Sequence, residues 1–221
     1  MRRDDYACDE RREIEAVLAE IGHGYLGVTT PDGWPSVVPL NFVYLDERVY
    51  FHGAHEGEKM ASMALHPRVT FTVVDAAALI PSYWRHPRSA CPATQYYRSV
   101  MIRGRARFVD DAGEKAHALQ AMMEKLQPEG GHVPITATSD VYQKALRNTA
   151  VTAIEVERMT GKFKFGQNLS GKKREDVLQG LRERNDPLDD LTVRRMLQFR
   201  PDRPEGDAVG KISSEDSPSA R

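Results

Sequence analysis

The chain has 221 residues, 40% of them hydrophobic, and a formal net charge of -1, which suffices for one well-buried core with appendages and gives no general attraction to nucleic acid or an anionic membrane. Its two cysteines, Cys8 and Cys91, exclude a disulfide scaffold or a four-cysteine zinc site. No apolar run approaches the ~20 residues that cross a bilayer, and MRRDDYACDERRE lacks the apolar core of a secretory signal, so a cytoplasmic protein is expected.

Ile14, Val17, Leu18 and Ile21 recur at three- and four-residue spacing, which predicts an amphipathic helix over 10–21, ended by Gly22 and Gly24. The texture then turns β-rich. YLGVTT and PSVVPLNFVYLD form a hairpin around Pro31-Asp32-Gly33, and the polar turn Asp46-Glu47-Arg48 leads into VYFHGA as a third strand. A helix over 57–66 carries Met60, Met63 and Ala64 on one side and stops at Pro67. RVTFTVVD is the fourth strand.

Residues 76–93 contain three prolines together with Tyr83, Trp84 and Cys91 and read as a long ordered excursion or lid, with Cys91 a buried, inert thiol. Residues 96–109 make a fifth strand, and 111–126 a helix buried through Leu119, Met122, Met123 and Leu126. After a loop over 128–138 and a short helix over 141–146, AVTAIEVERMTG is the sixth strand, with Val151 and Ala153 outward and Thr152, Ile154 and Val156 on the other face. A polar helix over 172–184 precedes LDDLTVRRMLQF, and residues 200–221 lack the apolar content for a core and are expected to be disordered.

This order contains no repeated β-α-β alternation, which excludes a doubly wound nucleotide fold, and neither GxGxxG nor GxxxxGK[ST] occurs. A bound phosphate must therefore be held by side chains and element ends. The expectation is a mainly β chain with flanking helices, six antiparallel strands closing a small barrel. It divides into a barrel domain with its N-terminal helix over 1–184, a short helical extension over 185–199 and the tail over 200–221.

GWPSVVPLNFVYLDERVYFHGAHEGEKMASMALHPRVTFTVVD, from Gly33 to Asp75, resembles the flavin-binding half of the pyridoxamine 5'-phosphate oxidase-like split-barrel flavoproteins. YYRSVMIRGRARFVDD is similar to the family's Arg-Ser/Gln-Val strand, and GKFKFGQN to its C-terminal flavin-edge segment. The Arg-rich N-terminus, YFHGA and YRSV are similar to the nitroimidazole-reductase-like branch. The resemblance implies a Greek-key split barrel, a homodimer with FMN across its interface, and an oxidoreductase that reduces small aromatic or nitro-aromatic acceptors with NAD(P)H or another donor. Alternatives are a non-catalytic flavin-binding module and a barrel holding haem or a deazaflavin.

By the same resemblance, Val38, Pro39, Leu40 and Asn41 line the flavin ring with backbone groups and an apolar wall. His52, Gly53 and Ala54 stand beside its reactive edge, and His52 is the catalytic candidate. Lys59, in the first turn of a helix, meets the phosphate. Ser99 is a polar flavin contact, and Gln167 reaches the flavin edge across the dimer. One position departs: pyridoxamine-phosphate oxidases carry an arginine before the matching lysine, where this chain has Glu58. That substitution weakens phosphate binding unless Lys162, Lys164 or Arg98 compensates. The C-terminal Trp and Arg motifs of the vitamin B6 oxidases are also absent.

Each residue has a plainer reading. A lone histidine at a strand end is commonly structural, and Lys59 by itself is an ordinary helix lysine. His52, His55, His66, His86 and Cys91 do not share the one-face spacing of a metal site, so none is expected. Tyr96, Tyr97 and Trp84 pack under a loop as readily as against a ligand. Arg103, Arg105 and Arg107 form a solvated or dimer-facing stripe.

Overall fold

The computed structural model describes residues 4–199, so the tail expected over 200–221 lies outside the described residues. In chain order the elements are β1 (Ala7–Cys8), α1 (Arg11–Glu20), β2 (His23–Thr29), β3 (Pro35–Asn41), β4 (Val43–Leu45), β5 (Arg48–Gly53), α2 (Glu58–Leu65), β6 (Arg68–Ile80), β7 (Thr94–Val109), α3 (Ala112–Leu126), α4 (Gln143–Asn148), β8 (Ala150–Lys164), α5 (Gly171–Arg184) and α6 (Asp189–Gln198). The strands form one sheet in the order β3-β2-β6-β7-β8-β5-β4, with β1 on β8. The β2–β3, β2–β6, β4–β5 and β5–β8 ladders are antiparallel, and the fold is that of a split barrel with flanking helices. No helix among the described residues is long and apolar enough to cross a membrane.

All six expected strands are present, and two further strands arise from tertiary contacts. Ala7–Cys8 pairs with Lys162 and Gly161, and the long second strand breaks at Phe42 into β3 and β4. At that break the Phe42 ring is fully buried edge-on to Phe71, centroids 4.9 Å apart, and its carbonyl accepts a hydrogen bond from Lys125 at 3.1 Å. The side chain and carbonyl are thus satisfied off the ladder.

The described residues form two compact units, one of residues 4–76 and 97–163, the other of 77–96 and 164–199. In the first, alternate residues of β2 and β6 turn Leu26, Val28, Val69, Phe71 and Val73 inward, and α1 adds Ile14, Val17 and Leu18. Each such side chain contributes about 1.5–3 kcal/mol by leaving water. The α1 helix ends at Glu20, with Ile21 N–H bonded to the Val17 carbonyl, and Gly24 lies in β2 rather than at the helix end. It is a packing glycine, since a Cβ there would sit 2.4 Å from the Phe71 ring. The face of β8 expected to point outward is covered: Val151 and Ala153 join Val43, Tyr50 and Val109 under Ala118 and Met122 of α3. Asp46 and Glu47 both have positive φ and make a two-residue turn between β4 and β5, with the local twist that favours strand pairing.

In the second unit, Val177 and Leu181 of α5 and Val193 and Met196 of α6 are buried. The connection is held by Arg184 donating to both carboxylate oxygens of Asp189, at 2.9 and 2.5 Å. The expected lid starts later than its sequence suggests, because β6 runs on to Ile80, where the Ala78 N–H donates to Thr192 Oγ1 at 3.0 Å. Trp84 packs on α5, where a Cβ at Gly180 would meet its ring at 2.4 Å. Cys91 is exposed, not buried as expected, while Cys8 is the buried thiol.

Candidate functional site

The strand β3 ends the sheet order and ladders only with β2, so the backbone groups on its other edge are not used by the sheet. Three features converge on that edge within the first unit. Ser36 Oγ donates to Glu58 Oε1 at 3.4 Å, which ties β3 to the first turn of α2. The end of β5, a strand that meets β3 where the sheet curls round although the two are far apart in the strand order, delivers His52 and Gly53, opposite Val151 and Ala150 of β8. Gly53, lacking a side chain, leaves space for the Lys59 ammonium, since a Cβ there would lie 3.1 Å from Nζ.

Strand geometry divides the expected apolar wall. Ser36, Val38 and Leu40 are half-buried on one face, whereas Pro39 and Asn41 are exposed on the other, as the two-residue period requires. Asn41 has a structural task, its Nδ2 donating to the Gly22 carbonyl at 3.0 Å. Ala54 follows β5 and is exposed.

Lys59 is the cation of the group. It is half-buried, lies 5.3 Å from the centroid of the Phe51 ring, and makes no ion pair among the described residues. Loss of water lowers its pKa, and the first-turn N–H groups of α2 add positive potential beside it. His52 is exposed overall, but its Nδ1 lies 3.2 Å from Met122 Sδ. Partial desolvation, followed by the nearby Lys59 charge, holds its pKa below the ordinary histidine value. Both effects favour the neutral imidazole.

Of the cations expected to offset Glu58, Arg98 is committed elsewhere. It is 2% exposed and donates to Asp75 Oδ2 at 2.8 and 2.5 Å and to Glu20 Oε2 at 2.5 Å. An arginine that satisfies two carboxylates inside the fold is a core tie, not a phosphate clamp. Lys162 lies over the Tyr97 ring at 5.3 Å, and Lys164 donates to Thr94 Oγ1 in the second unit.

The remaining predicted residues do not join this group within one chain. Ser99 stands on β7, separated from β3 in the sheet by β2 and β6, with its hydroxyl donating to the Lys162 carbonyl at 3.5 Å. Gln167 belongs to the second unit, where its Oε1 accepts from the Phe165 N–H at 2.8 Å. Two members were missed. Ser36 shares the face of Val38 two residues away, a period-two signal that was available, whereas the approach of Met122 to His52 is a contact across 70 residues with no local signal. Arg105 and Arg107 pair with Glu157 and Glu155 of β8, each at 3.3 Å. Nδ1 of His86 accepts from the N–H groups of Arg88 and Ser89. Among the described residues no three His, Cys, Asp or Glu side chains are grouped to hold a metal ion.

A family model described as pyridoxamine 5'-phosphate oxidase matches residues 10–163. Among solved structures, a candidate 5-nitroimidazole antibiotic resistance protein from Bacteroides thetaiotaomicron is 29% identical with a TM-score of 0.58, over 71% of this chain and 85% of that one. The flavocytochrome Anf3 from Azotobacter vinelandii is 26% identical with a TM-score of 0.63, over 77% and 74%. An FAD and haem binding protein from Mycobacterium smegmatis, at 18% identity and a TM-score of 0.61 over 79% and 80%, shares the fold. No curated protein matches the chain.

Proposed function

The chain belongs to the pyridoxamine 5'-phosphate oxidase family, and from that premise we propose that it is an FMN-dependent oxidoreductase, passing reducing equivalents from NAD(P)H or a similar donor to a small aromatic or nitro-aromatic acceptor. The observation that carries this reading is the half-buried Lys59 ammonium, without a carboxylate partner, in the first turn of α2 beside the open edge of β3. A partly desolvated cation at a helix N-terminus fits a phosphate dianion, and an unladdered strand edge fits the hydrogen-bonding rim of a flavin. The similarity to the nitroimidazole resistance protein supports the acceptor class.

When bound, FMN supplies the redox chemistry. Lys59 fixes the phosphate end, and Val38 and Leu40 present an apolar face. His52, neutral above its lowered pKa, orients the acceptor through a ring nitrogen; as a proton donor it is effective only at acidic pH. Exposed Tyr25, Val37, Val74 and Met101 on neighbouring strands support a homodimer, in which a second copy completes the pocket and offers roles for Ser99 and Gln167. The exposed free thiol of Cys91 accords with the reducing cytoplasm.

An absorption spectrum of the purified protein, followed by FMN titration, tests the reading. Flavin bands and thermal stabilisation by FMN are expected, with nitro-aromatic turnover reduced in His52→Ala. A Soret band in their place assigns haem, and bound flavin without turnover, whichever donor is supplied, assigns a carrier or sensor. Light scattering of the FMN-loaded protein is expected to give the mass of two chains.

A further inference from the structure

Met60, Ala61 and Ala64 of α2 line a half-open pocket of about 560 Å³, bounded by the loop over 55–57 before the helix, by Phe108 and Val109 at the end of β7 and by Val151 of β8. One cation lines it. Lys115 is 9% exposed, and its ammonium donates two long hydrogen bonds, to the Thr149 carbonyl at 3.3 Å and the Leu146 carbonyl at 3.5 Å. Those carbonyls close the end of α4 and favour a cation there, but a carbonyl carries no net charge. Lys115 makes no ion pair among the described residues, one of its three donors is left over, and it stands in the first turn of α3, the end where a helix disfavours positive charge. A buried ammonium in that position calls for an anion.

The rest of the lining defines that anion. Apolar side chains dominate, and the Phe108 ring is 39% exposed, offering a face to a ligand. The other charged groups of the lining, Glu56 and Asp110, are exposed and so screened by water; they oppose a monoanion weakly and a dianion about twice as strongly. We infer that this cavity binds a small monocarboxylate with an apolar or aromatic body, its carboxylate on Lys115 and its body between α2 and Phe108.

Calorimetric titration of the purified full-length protein with benzoate, with and without added FMN, tests this. Benzoate is expected to bind whether or not FMN is present, at least about tenfold more tightly than benzyl alcohol, the equivalent of one charge-assisted hydrogen bond. Lys115→Met is expected to remove that preference. Since Lys115 is buried, a second variant guards against misfolding: Ala64→Phe, at an exposed wall position, narrows the pocket, leaves Lys115 in place and should weaken benzoate binding. Benzoate binding unchanged in both variants, competition by FMN, or inorganic phosphate binding in preference to benzoate would overturn the inference.

Discussion

Two cations of the same unit, one buried and one half-buried, stand in opposite circumstances. Around Arg98 two carboxylates, from α1 and β6, take up the charge, and the guanidinium is sealed into the fold. Around Lys59 there is an aromatic ring, a glycine and a helix N-terminus, and no acid pairs with it. The difference teaches how to separate structural from functional charge: a cation neutralised within the chain holds the fold, and one desolvated without a counter-ion is poised for a ligand.

The comparison can be broken most directly at its structural end. Arg98→Leu strands Asp75 and Glu20, so we expect a loss of about 3 kcal/mol in urea unfolding, partly recovered when Asp75→Leu is added. A small loss in the single variant would place Arg98 with the functional cations.

Lys125 is the intermediate case, since its ammonium is held by the carbonyls of Leu18 and Phe42 and by the Phe42 ring at 3.7 Å. Burial lowers its pKa to about 8 from the ordinary 10.5. Between those values the unfolded chain binds more protons than the folded one, so stability rises with pH across that window. Stability measured against pH should show this rise in the wild type and not in Lys125→Met; parallel curves would contradict it.

At the ligand end, Lys59→Met should weaken FMN binding at least about tenfold while changing stability by no more than about 0.5 kcal/mol, as read by flavin fluorescence and urea unfolding. A large stability loss with unchanged FMN affinity would make Lys59 a core residue like Arg98. The smallest effect is expected for Glu58→Gln, which removes an exposed negative charge beside the proposed phosphate site and should strengthen FMN binding roughly threefold. Weaker binding would mean that the Ser36–Glu58 contact matters more than the repulsion.

Much of the site was legible because its parts are local. His52 and Gly53 end an alternating strand, and Lys59 follows a glycine at a helix start, so a short window carries each. Arg98 illustrates the limit: YRSV resembles a flavin-family motif, and nothing in that string reveals that Glu20 and Asp75, 78 and 23 residues away, consume the charge. Strand alternation puts the Pro39 side chain on the face opposite Val38 and Leu40, a distinction that reading the three residues as one block passes over.

The amino-acid order alone determined the succession of helices and strands, since hydrophobic period and turn residues act over a few positions. It also determined the family, through motifs spread from Gly33 to Asn168. Tertiary structure decided where the second strand breaks, which cations are neutralised, and that β3 keeps an open edge next to α2. These depend on burial and on charges brought together from distant positions, and the strength of an ion pair is set by distance and local water, which neighbours in sequence do not specify.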